Sequence, residues 1–198
     1  MGIVIEAHAC LQCAAFMTLP NSRGLVIFFT GLPGAGKSTL AQALAALLER
    51  AGRPVTLLDG DEVRRLLSSE LGFSRAHRDL NVLRIGYVAT EVARHGGIAV
   101  CAQIAPYAAA RAEVRNRARA AGRFFLVYVS TPLEVCEKRD PKHHYAKARA
   151  GLLAGFTGVS DPYEAPHDAD LAIDTQQCAP QECAQAIVAR LRNDRLLD

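Results

Sequence analysis

The chain has 198 residues, 50% of them hydrophobic and 22% charged, which suffices for one well-buried domain and excludes a disordered chain. Lys and Arg number 23 against 20 Asp and Glu, a net charge of +3 with the basic residues scattered, so no nucleic-acid surface is expected. The most apolar stretch, near Leu25 to Phe29, is far below the roughly 20 residues that cross a bilayer, and the N-terminus lacks a basic start, so a cytoplasmic protein without a membrane span is expected.

Residues 1–22 show no periodicity and read as an N-terminal extension to a single domain over 23–198. Within them Cys10 and Cys13 have C-x-x-C spacing, but no second pair and no βαβ pattern accompany them. The six cysteines together read as thiols of a core-building chain rather than a disulfide framework.

Beyond the extension, apolar runs of strand length alternate with helical stretches, the pattern of a parallel sheet covered by helices. Leu25 to Thr30 is a continuous apolar run, as in a strand covered on both faces. A Gly-rich turn leads to a helix over Ser38 to Arg50, with Leu40, Leu44, Leu47 and Leu48 on one stripe and Gly52 as its stop. Val55 to Leu58 is a second strand, ending at Asp59-Gly60-Asp61. A short helix around Val63 to Ser68 and a longer one from about Leu80 to Arg94 follow, and Ile98 to Ala102 is the third strand. Ala108 to Ala121 reads as a helix, Phe124 to Val129 as the fourth strand, and a further helix starts near Pro132. From Asp140 to Pro166 the periodicity breaks, giving a basic segment too long for an ordinary connection and suited to a lid. Leu171 to Asp174 is a last short strand and Pro180 to Leu191 a closing helix. The expected fold is α/β, three layers with a mostly parallel central sheet, helices on both faces and a lid at about 140–166.

Gly31-Leu32-Pro33-Gly34-Ala35-Gly36-Lys37-Ser38 matches G-x-x-x-x-G-K-[ST] at every specified position, between a predicted strand and a predicted helix. Such glycines let successive N–H groups point into one cavity, where phosphate oxygens also meet the positive end of the helix. Lys37 is placed to reach the β- and γ-phosphates and Ser38 to offer its hydroxyl to Mg²⁺. The loop selects a nucleotide and leaves the acceptor open. No N-K-x-D guanine motif is present, nor an apolar strand ending in the lone Asp of a motor ATPase. A one-domain chain with a lid fits a small-molecule kinase, in which closure keeps water from competing for the phosphoryl group.

Asp59 and Asp61 end the second strand, at the sheet edge where open α/β folds bind ligands. They could hold Mg²⁺ through water or deprotonate an acceptor hydroxyl. Equally, Asp61 could simply cap the following helix.

Further motifs then line up in order: Asp59-Gly60-Asp61-Glu62-Val63-Arg64; Leu71-Gly72-Phe73-Ser74 with Arg78 and Asn81; Ile104-Ala105-Pro106-Tyr107; Arg139-Asp140-Pro141-Lys142; and Gly155-Phe156-Thr157-Gly158 with Pro162-Tyr163-Glu164-Ala165-Pro166. From about Gly24 to Thr175 this set resembles the adenylylsulfate kinases (APS kinases). The resemblance implies a phosphate-loop kinase fold, ATP as donor, adenosine 5′-phosphosulfate (APS) as acceptor, PAPS as product and Mg²⁺ as cofactor. It also implies a homodimer and a functional link to an ATP sulfurylase. Carried over, it assigns Gly31, Leu32, Pro33, Gly34, Ala35, Gly36, Lys37, Ser38, Thr39 and Arg139 to ATP. To APS it assigns Asp61, Glu62, Val63, Arg64, Phe73, Arg78, Asn81, Ile104, Ala105, Lys142, Gly155 and Phe156. Lys37 and Asp61 become the catalytic pair, with Ser38 and Asp61, or else Asp59, toward the metal.

The residue chemistry agrees with that assignment. Arg64 and Arg78 offer planar forks to sulfate and phosphate oxygens. Phe73 and Phe156 could sandwich an adenine, although either ring alone also fits ordinary core packing. Arg139, at a helix end, suits either the ATP adenine or phosphates or a solvated cap. Three positions depart from the family pattern: His77 stands in place of Asp before Arg78, His143-His144 in place of Gly-Leu after Lys142, and Ala105 where some members carry a phosphorylatable Ser. The first is expected to alter how Arg78 is oriented, the second to stiffen the lid, and the third to exclude a phosphoenzyme at that position. Two competing readings are a kinase for another small hydroxyl compound and a nucleotide-binding module without turnover. The set Phe73, Arg78, Asn81 and Phe156 argues against the first, and intact Lys37, Ser38 and Asp61 against the second.

Overall fold

The computed structural model describes residues 23–197, so the extension with Cys10 and Cys13 lies outside the described residues. Five strands, β1 (Leu25–Gly31), β2 (Val55–Asp59), β3 (Ile98–Ala102), β4 (Arg123–Val129) and β5 (Leu171–Ile173), form one sheet in the order β2-β3-β1-β4-β5. Every neighbouring pair is parallel, so the expected mostly parallel sheet is wholly so among the described residues.

The layers follow from β1, whose seven residues are buried throughout. Successive side chains of a strand point to opposite faces. Leu25, Ile27 and Phe29 enter one core with Leu40 and Leu44 of α1 (Lys37–Arg50) and Ile187 and Leu191 of α7 (Pro180–Asn193). Val26 and Phe28 enter the other with Ile85 and Ala89 of α3 (Arg75–Arg94) and Val114 of α4 (Ala108–Ala121). At roughly 1.5–3 kcal/mol for each large side chain removed from water, these two cores fix the strand whose C-terminal end carries the phosphate loop.

Helix starts depart from the sequence reading for local polar reasons. α2 (Gly60–Leu67) begins earlier than expected because its cap is Asp59, whose Oδ1 accepts from Asp61 N at 3.0 Å, and Asp61 sits in the first turn. α3 likewise begins at Arg75, where Ser74 Oγ accepts from His77 N at 3.3 Å, a polar first turn invisible to apolar periodicity. Past α5 (Leu133–Arg139), the lid contains a short helix, α6 (His144–Arg149), started by the Asp140 carboxylate accepting from Tyr145 N at 3.1 Å and Ala146 N at 3.0 Å. The cysteine expectation needs correction too. Cys178 and Cys183 form a disulfide across the turn that enters α7, whereas Cys101 and Cys136 are buried free thiols. A pair this close in sequence closes a turn rather than a framework, so a cysteine count does not reveal it.

Candidate active site

The phosphate loop joins β1 to α1, and Gly34 and Gly36 adopt φ of 72° and 97°, left-handed values that L side chains rarely take. Lys37 folds back over the loop, donating to the carbonyls of Gly31 at 3.0 Å and Leu32 at 2.7 Å, and is only 8% exposed. Burial lowers its pKa from 10.5 to about 8, a shift partly opposed by Cys136, Asp59 and Asp61. An ammonium held this dry gains most from an anion that replaces its carbonyl partners. The loop is braced from below: Ala35 O accepts from Thr131 Oγ1 at 3.1 Å and Thr175 Oγ1 at 2.9 Å. Arg139 lies on the same flank, donating to Thr175 Oγ1 at 2.8 Å and Thr175 O at 3.2 Å.

The two carboxylates at the end of β2 and the start of α2 divide. Ser38 Oγ donates to Asp59 Oδ2 at 2.5 Å, which brings the α1 hydroxyl and the β2 carboxylate together as oxygen donors. Asp61 instead pairs with Lys142, the cation that opens the lid segment, and both side chains remain largely exposed.

Opposite the phosphate loop stand two arginines and two rings. Arg64 Nη1 donates to Leu71 O at 2.9 Å and Gly72 O at 3.1 Å, and its guanidinium lies 4.7 Å from the Phe73 ring centroid. Burial lowers the Arg64 pKa, and the like charge of Arg78 lowers it further. Arg78 bridges the two aromatic loops. Its Nε donates to Phe73 O at 2.7 Å, its other nitrogens donate to Gly155 O and Thr157 Oγ1, and Asp161 lies at 3.6 Å. His77 therefore does not leave Arg78 without orientation; its Nδ1 accepts from Gly72 N at 2.9 Å and shapes the Phe73 loop. The rings differ in setting: Phe73 is 64% exposed, while Phe156 is 8% exposed and edge-on to Tyr145 at 4.9 Å.

One cleft of about 1280 Å³ runs from Gly36, Lys37 and Ser38 past Asp59 and Asp61 to Arg64, Phe73, Arg78, Asn81, Ile104, Ala105, Lys142, Gly155 and Phe156. Pro33, Gly34, Thr39 and Arg139 also face it. Gly31, Leu32, Ala35, Glu62 and Val63 do not line it; Ala35 and Val63 are core residues. No local sequence pattern marks Thr131, Thr175, Tyr145 or Gln103 as site residues. Tyr145, whose hydroxyl donates to Pro33 O at 2.9 Å, ties the lid to the phosphate loop across 112 positions, and no local pattern announces such a contact. Gln103 is buried in the cleft wall with both carboxamide atoms unpartnered.

Comparison with known proteins supplies the remaining observations. The family model described as adenylylsulphate kinase matches residues 23–174. An adenylyl-sulfate kinase of Synechococcus sp. (strain JA-3-3Ab) is 50% identical over 171 residues, covering 86% of this chain and 96% of that relative. A sulfate adenylyltransferase of Gibberella zeae is 46% identical over 181 residues, 91% of this chain but 32% of that protein, so the chain spans about a third of its length. Among solved structures, the Mycobacterium tuberculosis APS kinase in complex with AMPPNP and APS is similar with a TM-score of 0.83 at 41% identity, over 86% of this chain and 99% of that one.

Proposed function

The chain belongs to the adenylylsulfate kinase family, and we propose that its cleft joins the γ-phosphate of ATP to the 3′-hydroxyl of APS, giving PAPS. The observation that carries this reading is the single cleft with a phosphate loop at one end and, at the other, a paired-arginine, paired-phenylalanine site. That far end suits an acceptor with both anionic groups and a flat base.

On this reading Lys37 exchanges its two carbonyl partners for phosphate oxygens, offsetting charge that develops during transfer. Ser38 and Asp59 supply hard oxygen donors side by side, a set that fits Mg²⁺ held by one carboxylate, one hydroxyl and substrate phosphates. Mg²⁺ bound there neutralises the phosphate charge that repels an incoming hydroxyl. Asp61, held at the cleft mouth by Lys142, takes the proton from the acceptor hydroxyl, and breaking that pair couples acceptor entry to lid position. Arg64 and Arg78 meet the phosphosulfate, and Phe73 and Phe156 flank the adenine. We further infer a homodimer, as the family resemblance implies; Leu66, Leu67, Leu80 and Tyr87 are exposed apolar side chains on α2 and α3. The sulfate adenylyltransferase relative supports a functional link to the enzyme that makes APS. Among the described residues no helix is long and apolar enough to cross a membrane.

Turnover of Mg-ATP with APS, followed as PAPS formation, tests the reading. APS lacking its 3′-hydroxyl should compete with APS yet accept no phosphate. A sugar acid phosphorylated faster than APS would overturn the acceptor assignment.

A further inference from the structure

The wall formed by Ile104 and Ala105 is held from behind by a buried polar group that the transfer itself does not use. Ala105 has φ of 43°, an unusual conformation for a residue with a Cβ, and its side chain is buried. Arg111 of α4, only 4% exposed, donates through Nη1 to Ala105 O at 2.7 Å and through Nη2 to Glu164 O at 2.6 Å. Glu164 closes the lid segment, and its own N–H donates to Pro106 O at 2.9 Å. From the other side Thr30 Oγ1 donates to Ile104 O at 2.7 Å, so the Tyr163 hydroxyl, 3.0 Å away, is the donor to Thr30. One guanidinium thus bonds the acceptor wall and the lid's far end at once, with Tyr163 beside it contributing the second brace.

We propose that Arg111 is a positioning residue for the acceptor: it fixes the Ile104–Ala105 wall in register with the closing lid, so that the acceptor hydroxyl is aligned only when the lid end is seated. The inference rests on the functional reading above, with Ile104 and Ala105 lining the acceptor end. A fork is required, because two carbonyls on different segments must be reached in fixed directions, and the single ammonium of Lys cannot span both. Arg115 provides an internal control. It also ties α4 to the segment after the lid, donating to Asp168 O at 2.9 Å, but it makes no bond to the wall.

The test measures KM for APS and for ATP, kcat and Tm in the full-length chain. Arg111→Lys should raise the KM for APS about tenfold or more while the KM for ATP moves less than about twofold. Tyr163→Phe, which keeps the ring and loses one hydroxyl, should raise the APS value roughly threefold with the same selectivity, and it decides the matter should Arg111 variants not fold. Arg115→Met should lower Tm with both KM values kept within about twofold. An Arg111→Lys or Tyr163→Phe enzyme with unchanged KM for APS, or an Arg115→Met enzyme with the same selective loss, overturns the positioning role. A wild-type chain that does not turn over APS breaks instead the functional reading beneath it.

Discussion

Lys37 and Phe73 face the same cleft in opposite circumstances. Lys37 is 8% exposed, with both of its carbonyl partners inside its own loop, whereas Phe73 is 64% exposed and held through Arg64 and Arg78, the latter reaching 77 positions along the chain to Gly155. The donor end is one contiguous stretch of sequence, braced at Ala35 by Thr131 and Thr175 and at Pro33 by Tyr145. The far end of the cleft is assembled from α2, α3, the wall after β3 and the lid segment, so its lining comes from four stretches well apart in the sequence. On the proposed reading, phosphate is held by one local loop, while the acceptor depends on segments brought together only by the fold.

The largest expected effect tests the donor end. Lys37→Ala should cost on the order of 10³-fold or more in turnover while Tm stays near that of the wild type, since a buried cation is removed together with its desolvation cost. Comparable activity in this variant would mean that the loop is not where the phosphoryl group is held.

Next comes the division between the carboxylates. Asp61→Asn should lower kcat by roughly 10²-fold with an unchanged Mg²⁺ requirement, as removal of a general base predicts. Asp59→Asn still caps α2, because Asn caps as well as Asp, so stability should hold while the Mg²⁺ concentration needed for half-maximal rate rises. Identical behaviour of the two variants would erase the assignment of Asp59 to Ser38 and Asp61 to the acceptor.

The rings should differ from each other in a way their shared chemistry does not suggest. Both Phe→Ala variants should raise the KM for APS by an amount matching ~1–3 kcal/mol of lost stacking, with little change for ATP. Only Phe156→Ala should also destabilise the fold, by about 3 kcal/mol, because Phe156 packs on Tyr145 inside the core whereas Phe73 stands in solvent. Equal Tm losses for the two would show that the Phe73 loop packs more tightly than it stands here.

Legibility in the sequence divides along the same line. The strands, α1 and the phosphate loop were readable because their signals are local: a continuous apolar run, a leucine stripe, three glycines and a Lys-Ser pair within eight residues. α2 and α3 start earlier than apolar spacing indicates, because Asp59 and Ser74 act through side-chain caps that such spacing does not register. The residues proposed for the acceptor are reached through family resemblance rather than local pattern. Nothing local to Arg78 indicates that it bridges two aromatic loops, and nothing local to Arg111 that its fork meets two carbonyls 59 residues apart in sequence, those of Ala105 and Glu164. An even cysteine count carries no information about short pairs such as Cys178–Cys183.

A smaller effect reports on the donor end through pH. Because burial holds the free Lys37 near pKa 8, the ammonium is partly lost at pH 8.5, and phosphates brought against it must raise its pKa again. ATP binding should therefore take up a fraction of a proton at pH 8.5 and almost none at pH 6.5, and affinity should weaken as pH rises through 8. Calorimetry in buffers of different ionisation enthalpy measures the uptake, and Lys37→Met should abolish it. Uptake that persists in Lys37→Met would assign the proton to another group.

The smallest expected effect lies at the root of the lid, where the family resemblance leads one to expect a Gly in place of His143. His143 has φ of 54° and ψ of 29°, the left-handed region, immediately after Lys142 and at the start of α6. A residue with a Cβ is held there at a cost of about 1–2 kcal/mol, which a Gly does not incur, although Gly returns up to about 1 kcal/mol of that through its freer unfolded chain. His143→Gly should therefore raise stability by roughly 0.5 kcal/mol, a Tm gain of about 1–2 °C in a chain of this size. His143→Ala, which keeps the Cβ and loses the ring, should give no gain. If the imidazole itself stiffens the lid, the two variants should instead lose stability together. Measuring both separates backbone strain from side-chain contact, because only the first predicts that Gly raises Tm while Ala does not.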